Sequence, residues 1–271
     1  MAKKIRMTER SYAVRVIGTA EEPAWRAKQF LREEKIVSEK LIGAILLPEV
    51  LPGLYINQNG NVSFVEFENK GVVDHTGYSA EEMRSHGCGI SVLHMCLGTL
   101  SDNYQKTFKS VGALAIHALS HHRNDFVVNG VVTRVGTPVF NLKTGWYHDA
   151  LVHTAIETTQ LDVFRLENLQ GMEEIVVIAN GLINDGKCPL VILSVKNKFW
   201  RLKNEPESMM THLVIVNGFN FDNDGNLKEI RVTDPFALNQ GKKLNQWVEV
   251  NERVREAFTG RAIFVVGEDE N

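Results

Sequence analysis

A cysteine, a histidine, an aspartate and a glutamine carry the chemistry in this chain: Cys88, His212, Asp234 and Gln58. Cys88 stands in Ser85-His86-Gly87-Cys88-Gly89-Ile90-Ser91-Val92-Leu93-His94-Met95-Cys96-Leu97-Gly98-Thr99-Leu100. Apolar residues after it fall at Ile90, Leu93, Cys96 with Leu97, and Leu100, the three-to-four spacing of a helix with one broad apolar face. A cysteine in the first turn of such a helix meets the positive end of the macrodipole, which favours the nucleophilic thiolate. An inert, buried thiol is the structural alternative for the same residue. Gly87 and Gly89 are expected to let backbone and substrate approach closely.

Partners for the thiolate stand near the other end of the chain. Thr211-His212-Leu213-Val214-Ile215-Val216-Asn217-Gly218-Phe219 is an apolar run that begins at a histidine. Lys228-Glu229-Ile230-Arg231-Val232-Thr233-Asp234-Pro235 is a second strand that stops at an aspartate. Between them, Asp222-Asn223-Asp224-Gly225-Asn226 carries the Asp-Gly signal of a tight hairpin. A hairpin sets the start of its first strand beside the end of its second, so His212 and Asp234 are predicted neighbours. In that geometry a carboxylate fixes the imidazole tautomer while the other ring nitrogen faces the nucleophile.

Cys-Gly opening an apolar helix, His heading a strand that ends in Gly-Phe, and Val-Thr-Asp-Pro closing the next strand together resemble a known family. It is that of the papain-like cysteine peptidases that process double-glycine bacteriocin leaders, with their stand-alone relatives. Ile183 to Val195 is similar to the family's helix, Gly-x-Pro turn and central strand, and Trp247 to Val266 to its closing helix and strand. The resemblance spans residues 75–266 and rests on the order of the segments. It implies an α+β papain-like fold in which the Cys88 helix packs on an antiparallel sheet carrying His212 and Asp234. It also implies peptide or amide hydrolysis through a Cys88-His212-Asp234 triad, without a cofactor.

Two positions depart from the family. Its members place a glutamine shortly before the cysteine as a donor to the oxyanion, whereas Glu82 stands here, and an ionised carboxylate cannot donate. Gln58 is the first candidate to replace it, alongside the backbone N–H of Cys88, with Ser85 and His86 as further candidates. Ile90 stands where many relatives carry proline.

With 271 residues, 44% of them hydrophobic, the chain has material for one large domain or one domain with an extension. Its net charge of −3 and pI of about 6.3 disfavour nucleic acid and anionic membranes as partners. No apolar run reaches the length of a membrane span, and the start lacks a signal-peptide core. Cys88, Cys96 and Cys188 form no Cys-x-x-Cys, which suits reduced thiols and a cytoplasmic location.

Residues 1–70 read as an extension of uncertain role. Its expected elements are a strand at Tyr12–Ile17, a helix from Pro23 to Glu39, a strand at Leu41–Leu47 and a hairpin around Asn59-Gly60 with arms at 54–56 and 62–67. Residues 71–271 are the expected peptidase domain. Within it, one helix is predicted from Asp102 to Leu119, a β-rich stretch from Phe126 to Val135, and helices from Gly145 and from Gly171. His117, His121 and His122 invite a metal reading that no further ligand completes, so their charge is assigned to the helix C-terminus. His148 and His153 are expected at the surface. Asp222-x-Asp224-x-Asn226 is read as a turn, because the glycine and glutamate of a calcium loop are misplaced. A peptidase acting on a peptide or protein is the leading expectation. Acyl or amide transfer on the same fold, and a silent peptide-binding module, are the alternatives.

Overall fold

The computed structural model describes residues 15–18, 29–30, 43–60, 63–120, 125–128, 131–135, 139–196, 211–236 and 243–268. Its architecture is α+β: helices packed on an eight-stranded antiparallel sheet. The strands of that sheet are β1 (Arg15–Gly18), β2 (Gly43–Leu46), β7 (Asp162–Glu167), β8 (Lys187–Lys196), β9 (Thr211–Phe221), β10 (Leu227–Asp234), β11 (Lys243–Glu249) and β12 (Phe258–Glu268). Two small hairpins pair β3 (Asp125–Val128) with β4 (Val131–Val135), and β5 (Phe140–Asn141) with β6 (Gly145–Trp146). The helices are α1 (Lys70–Thr76), α2 (Ala80–His86), α3 (Cys88–Leu100), α4 (Asp102–Thr107), α5 (Val111–Ser120), α6 (His148–Thr158), α7 (Met172–Asn184) and α8 (Glu252–Ala257).

The sheet runs β1-β7-β12-β8-β9-β10-β11. β9 pairs with β8 along its first half, Val195 opposite His212, and with β2 along its second half, Leu46 opposite Gly218. Both described strands that precede residue 70 therefore lie in the same sheet as β9 and β10. Leu190 to Leu193 and Val195 on β8 are all buried, so both of its faces are covered, and the helices that contact it are α3 and α7. α3 is buried from Gly89 to Gly98, which is why its sequence is apolar over so broad an arc.

The hairpin at Asp222–Asn226 forms as predicted. Gly225 takes φ 80°, and the Asp222 carboxylate accepts from the backbone N–H groups of Asp224 and Asn226 inside the turn. Those bonds, the Asn226 contacts foremost, hold the Asp222 pKa below its usual value. The β-rich stretch at 126–135 is the β3–β4 hairpin.

Four sequence expectations are corrected. The predicted hairpin at 54–67 is instead a 3-10 turn at Pro52–Leu54, a turn at Asn57–Gly60 and a 3-10 helix at Val65–Glu68. Phe64 at φ 60° drives its ring, and Phe67 follows, into the core beside α2, and that burial overrides the strand alternation. The single helix predicted from Asp102 to Leu119 is two, α4 and α5, because the Ser110 hydroxyl accepts from Ala113 N and caps a new helix after the extended Phe108. The helix predicted from Gly145 starts at His148, since Gly145 and Trp146 pair with β5. His148 and His153 on it are half-buried rather than at the surface. Of the helix expected at Pro23–Glu39, only Gln29 and Phe30 lie within the described residues, and both are helical. His121 and His122 lie outside them.

The joint between α2 and α3 is set by close packing. A Cβ on Gly87 would stand 2.5 Å from Met83 O and 2.5 Å from the Phe64 ring, and one on Gly89 would stand 2.9 Å from Trp146 Cβ. These glycines admit neighbouring protein atoms, which is a more specific reason than the substrate approach expected of them. Gly87→Ala is expected to destabilise the fold by about 1–3 kcal/mol, read from urea denaturation midpoints, because the ring and carbonyl must both shift.

Candidate active site

β9 delivers His212 from its second position, and β10 delivers Asp234 from its last. The β9–β10 register sets Thr233 opposite Ile215. Carried one step further, it sets Asp234 opposite Val214, and His212, two residues along β9, lies on the same face as a diagonal neighbour. His212 Nε2 and Asp234 Oδ1 are 2.7 Å apart. The Asp234 side chain has no exposure, while His212 keeps 14%. Phe236 N also donates to Asp234 Oδ1 at 2.7 Å, and the Phe236 ring meets the imidazole edge-on.

With Nε2 committed to Asp234, Nδ1 is the ring nitrogen left for Cys88, whose half-buried sulfur stands close enough to act on the charge of the same ring. Burial alone favours the neutral ring. The Asp234 carboxylate, by charge and by hydrogen bond, and then the Cys88 sulfur outweigh it, and the His212 pKa is raised to about 10. An imidazolium thus stands between a carboxylate and the Cys88 sulfur. The structure brings Cys88, His212 and Asp234 together.

Gln58 lies at the junction of the two segments that hold these residues. Its backbone N–H donates to Pro235 O at 3.0 Å, and its side-chain Nε2 donates to Arg84 O at 3.1 Å, at the end of α2 just before Cys88. The side chain is buried at 1% exposure, and Oε1 has no hydrogen-bond partner among the described residues. A primary amide has a second N–H, so one donor remains after the Arg84 bond. Glu82 is occupied differently: it forms a capping box with Ser79, its carboxylate accepting from Ser79 N at 2.7 Å, and those bonds lower its pKa. Ser85 is exposed and donates to Glu81 O, and His86 Nδ1 lies 3.2 Å from Glu82 O. Both are engaged within their own helix.

Sequence reasoning missed Tyr55 and Phe236. The Tyr55 hydroxyl donates to Asp234 O at 3.0 Å, so the 55–58 segment is strapped to the successive carbonyls of Asp234 and Pro235. The same strap touches α3, where Ile56 N approaches Met95 Sδ at 3.3 Å. Phe236 follows directly on Asp-Pro and could have been found as the apolar residue after the strand end. Tyr55 had no such signal, because it was assigned to a hairpin arm. Among the described residues no group of three or more His, Cys, Asp or Glu side chains could hold a metal ion. No family model matches the chain, and no curated protein matches it.

Two outcomes follow from the geometry. Cys88 is expected to alkylate with iodoacetamide at mildly acidic pH well ahead of Cys96, whose thiol is fully buried with its pKa pushed up by burial, and ahead of Cys188 within its strand. Equal labelling of the three peptides by mass spectrometry would contradict the arrangement. A ring that binds its proton more tightly when folded contributes its full stability below its ordinary value near 6.5 and loses that contribution as pH rises towards about 10. The stability gap between the wild type and His212→Asn should therefore narrow steadily from about pH 6.5 to 10 in urea titrations.

Proposed function

We propose that this chain is a cysteine peptidase of papain-like design, acting on a peptide or protein substrate. The observation that supports the reading best is the His212 ring held between Asp234 Oδ1 and the Cys88 sulfur. In the proposed reaction the Cys88 thiolate attacks an amide carbonyl carbon, and a C–S bond forms. Protonated His212 passes its proton to the leaving amine as the C–N bond breaks, leaving a thioester. His212 then takes a proton from water, hydroxide adds to the thioester carbon, and the acid departs as the C–S bond breaks and Cys88 is restored. Asp234 orients the ring and stabilises the imidazolium throughout. The Cys88 backbone N–H and the remaining Gln58 Nε2–H are the proposed oxyanion donors. None of these steps calls on a cofactor.

The α+β architecture and the order of the segments are compatible with a papain-like fold, with the described part of residues 1–70 supplying sheet strands and the strap. Three cysteines without a disulfide agree with a reducing compartment such as the cytoplasm. Among the described residues no helix is long and apolar enough to cross a membrane.

A mixed peptide library incubated with the wild type should yield new termini detectable by mass spectrometry, and Cys88→Ala should yield none. A library left intact by a wild-type protein whose Cys88 still alkylates selectively would overturn hydrolysis. New amides formed with an added amine would assign the protein to acyl transfer instead. Gln58→Ala and Gln58→Glu, the second keeping the shape without the donor, are each expected to lower turnover about 100- to 1,000-fold while Cys88 labelling persists. Normal turnover in both would place the oxyanion donor elsewhere.

A further inference from the structure

At the Leu54 end of the strap, away from Cys88, His212 and Asp234, lies a pocket of about 190 Å³ walled by Leu54, Gly98 and Phe108 and floored by His94 and Tyr104. We propose that it binds a small carboxylate with an apolar body. The observation that points to a ligand is the unspent nitrogen of His94, a residue only 5% exposed that lines the pocket.

His94 Nδ1 and the Tyr104 hydroxyl are 2.7 Å apart. Tyr104 is buried, and its hydroxyl has no other acceptor among the described residues, so the O–H donates to Nδ1 and the ring carries its own proton on Nε2. Burial lowers the His94 pKa to about 4, which keeps the ring neutral at physiological pH. Nε2–H is then a donor with no partner among the described residues, on the lining of the pocket. An acceptor from outside the chain fits it.

The remaining walls define what that acceptor belongs to. No lining residue is acidic, and exposed Lys109, which has no ion pair among the described residues, stands on the lining. A neutral donor on the floor with an ammonium group beside it favours an anionic acceptor over an amide or alcohol. Leu54 and the stacked Tyr104 and Phe108 rings offer it an apolar surface. The Gln105 amide donates one N–H to Gly98 O at 2.6 Å and keeps a second, a further donor on the lining.

The test is binding rather than turnover, so its failure and that of the peptidase reading are separable. Full-length protein with ¹⁵N-labelled histidine is titrated with benzoate and with phenylacetate, with benzamide as the uncharged control. The expected result is a saturable shift of the His94 Nε2 signal with either acid and a much weaker one with benzamide. His94→Phe should weaken binding about tenfold or more. Lys109→Glu, an exposed change that leaves folding intact, should weaken it at least about threefold. The proposal is overturned if neither acid gives a saturable shift at millimolar concentration, if benzamide binds as tightly as benzoate, or if Lys109→Glu leaves the affinity unchanged.

Discussion

A carboxylate with no solvent exposure at the end of a strand must be compensated where it stands, and Asp234 imposes that requirement on everything around it. Its Oδ1 takes two donors, the His212 ring and the Phe236 backbone, while Oδ2 has no hydrogen-bond partner among the described residues. The compensating charge comes from the imidazolium. Because the ring spends Nε2 on this role, its orientation is set, and the nitrogen that faces Cys88 is decided by a residue that never reaches the sulfur. The same demand explains why the ring holds its proton far above its ordinary range despite being largely buried.

Holding two charged strand ends against a helix needs a rigid frame, and the structure builds it from close contacts. Gly87 lets the Phe64 ring close on the turn between α2 and α3, so Cys88 enters its helix at a fixed angle. From the other side, Asn245 at φ 50° interrupts β11 opposite the bulge that precedes Asp234. Its side chain accepts from Val50 N, Thr233 Oγ1 and Asn217 Nδ2, tying the chain before the strap to both β9 and β10. The buried Asp149 carboxylate and Arg165 guanidinium join α6 to β7 in the same way. A buried polar node of this kind is costly when broken, which confers positional precision on the elements it joins.

The strap from Leu54 to Gln58 connects two regions of different chemistry. One end lines the His94 pocket, and the other bonds to carbonyls beside Cys88 and Asp234. It is irregular, half-buried backbone in which Ile56 N bonds to the helix on one side and Gln58 N to the strand end on the other.

Much of the site was legible in the chain itself. His212 and Asp234 could be paired because a hairpin is a local structure: the Asp-Gly turn and two alternating runs determine which ends meet. The Cys88 helix and α7 could be read for the same reason, since apolar periodicity reports a buried face directly. What the sequence could not determine was which face won where local signals conflicted. Val62 to Phe67 alternates like a strand, yet Phe64 and Phe67 gain more by entering the core beside α2, and that core exists only after distant segments have met. Whether Cys88 reaches His212, and whether Gln58, 26 residues from Arg84 along the chain, stands beside either, depended on contacts of long sequence separation. Residue types and spacing therefore determined the chemistry available and the local pairs, while tertiary packing alone decided which of those pairs share one site.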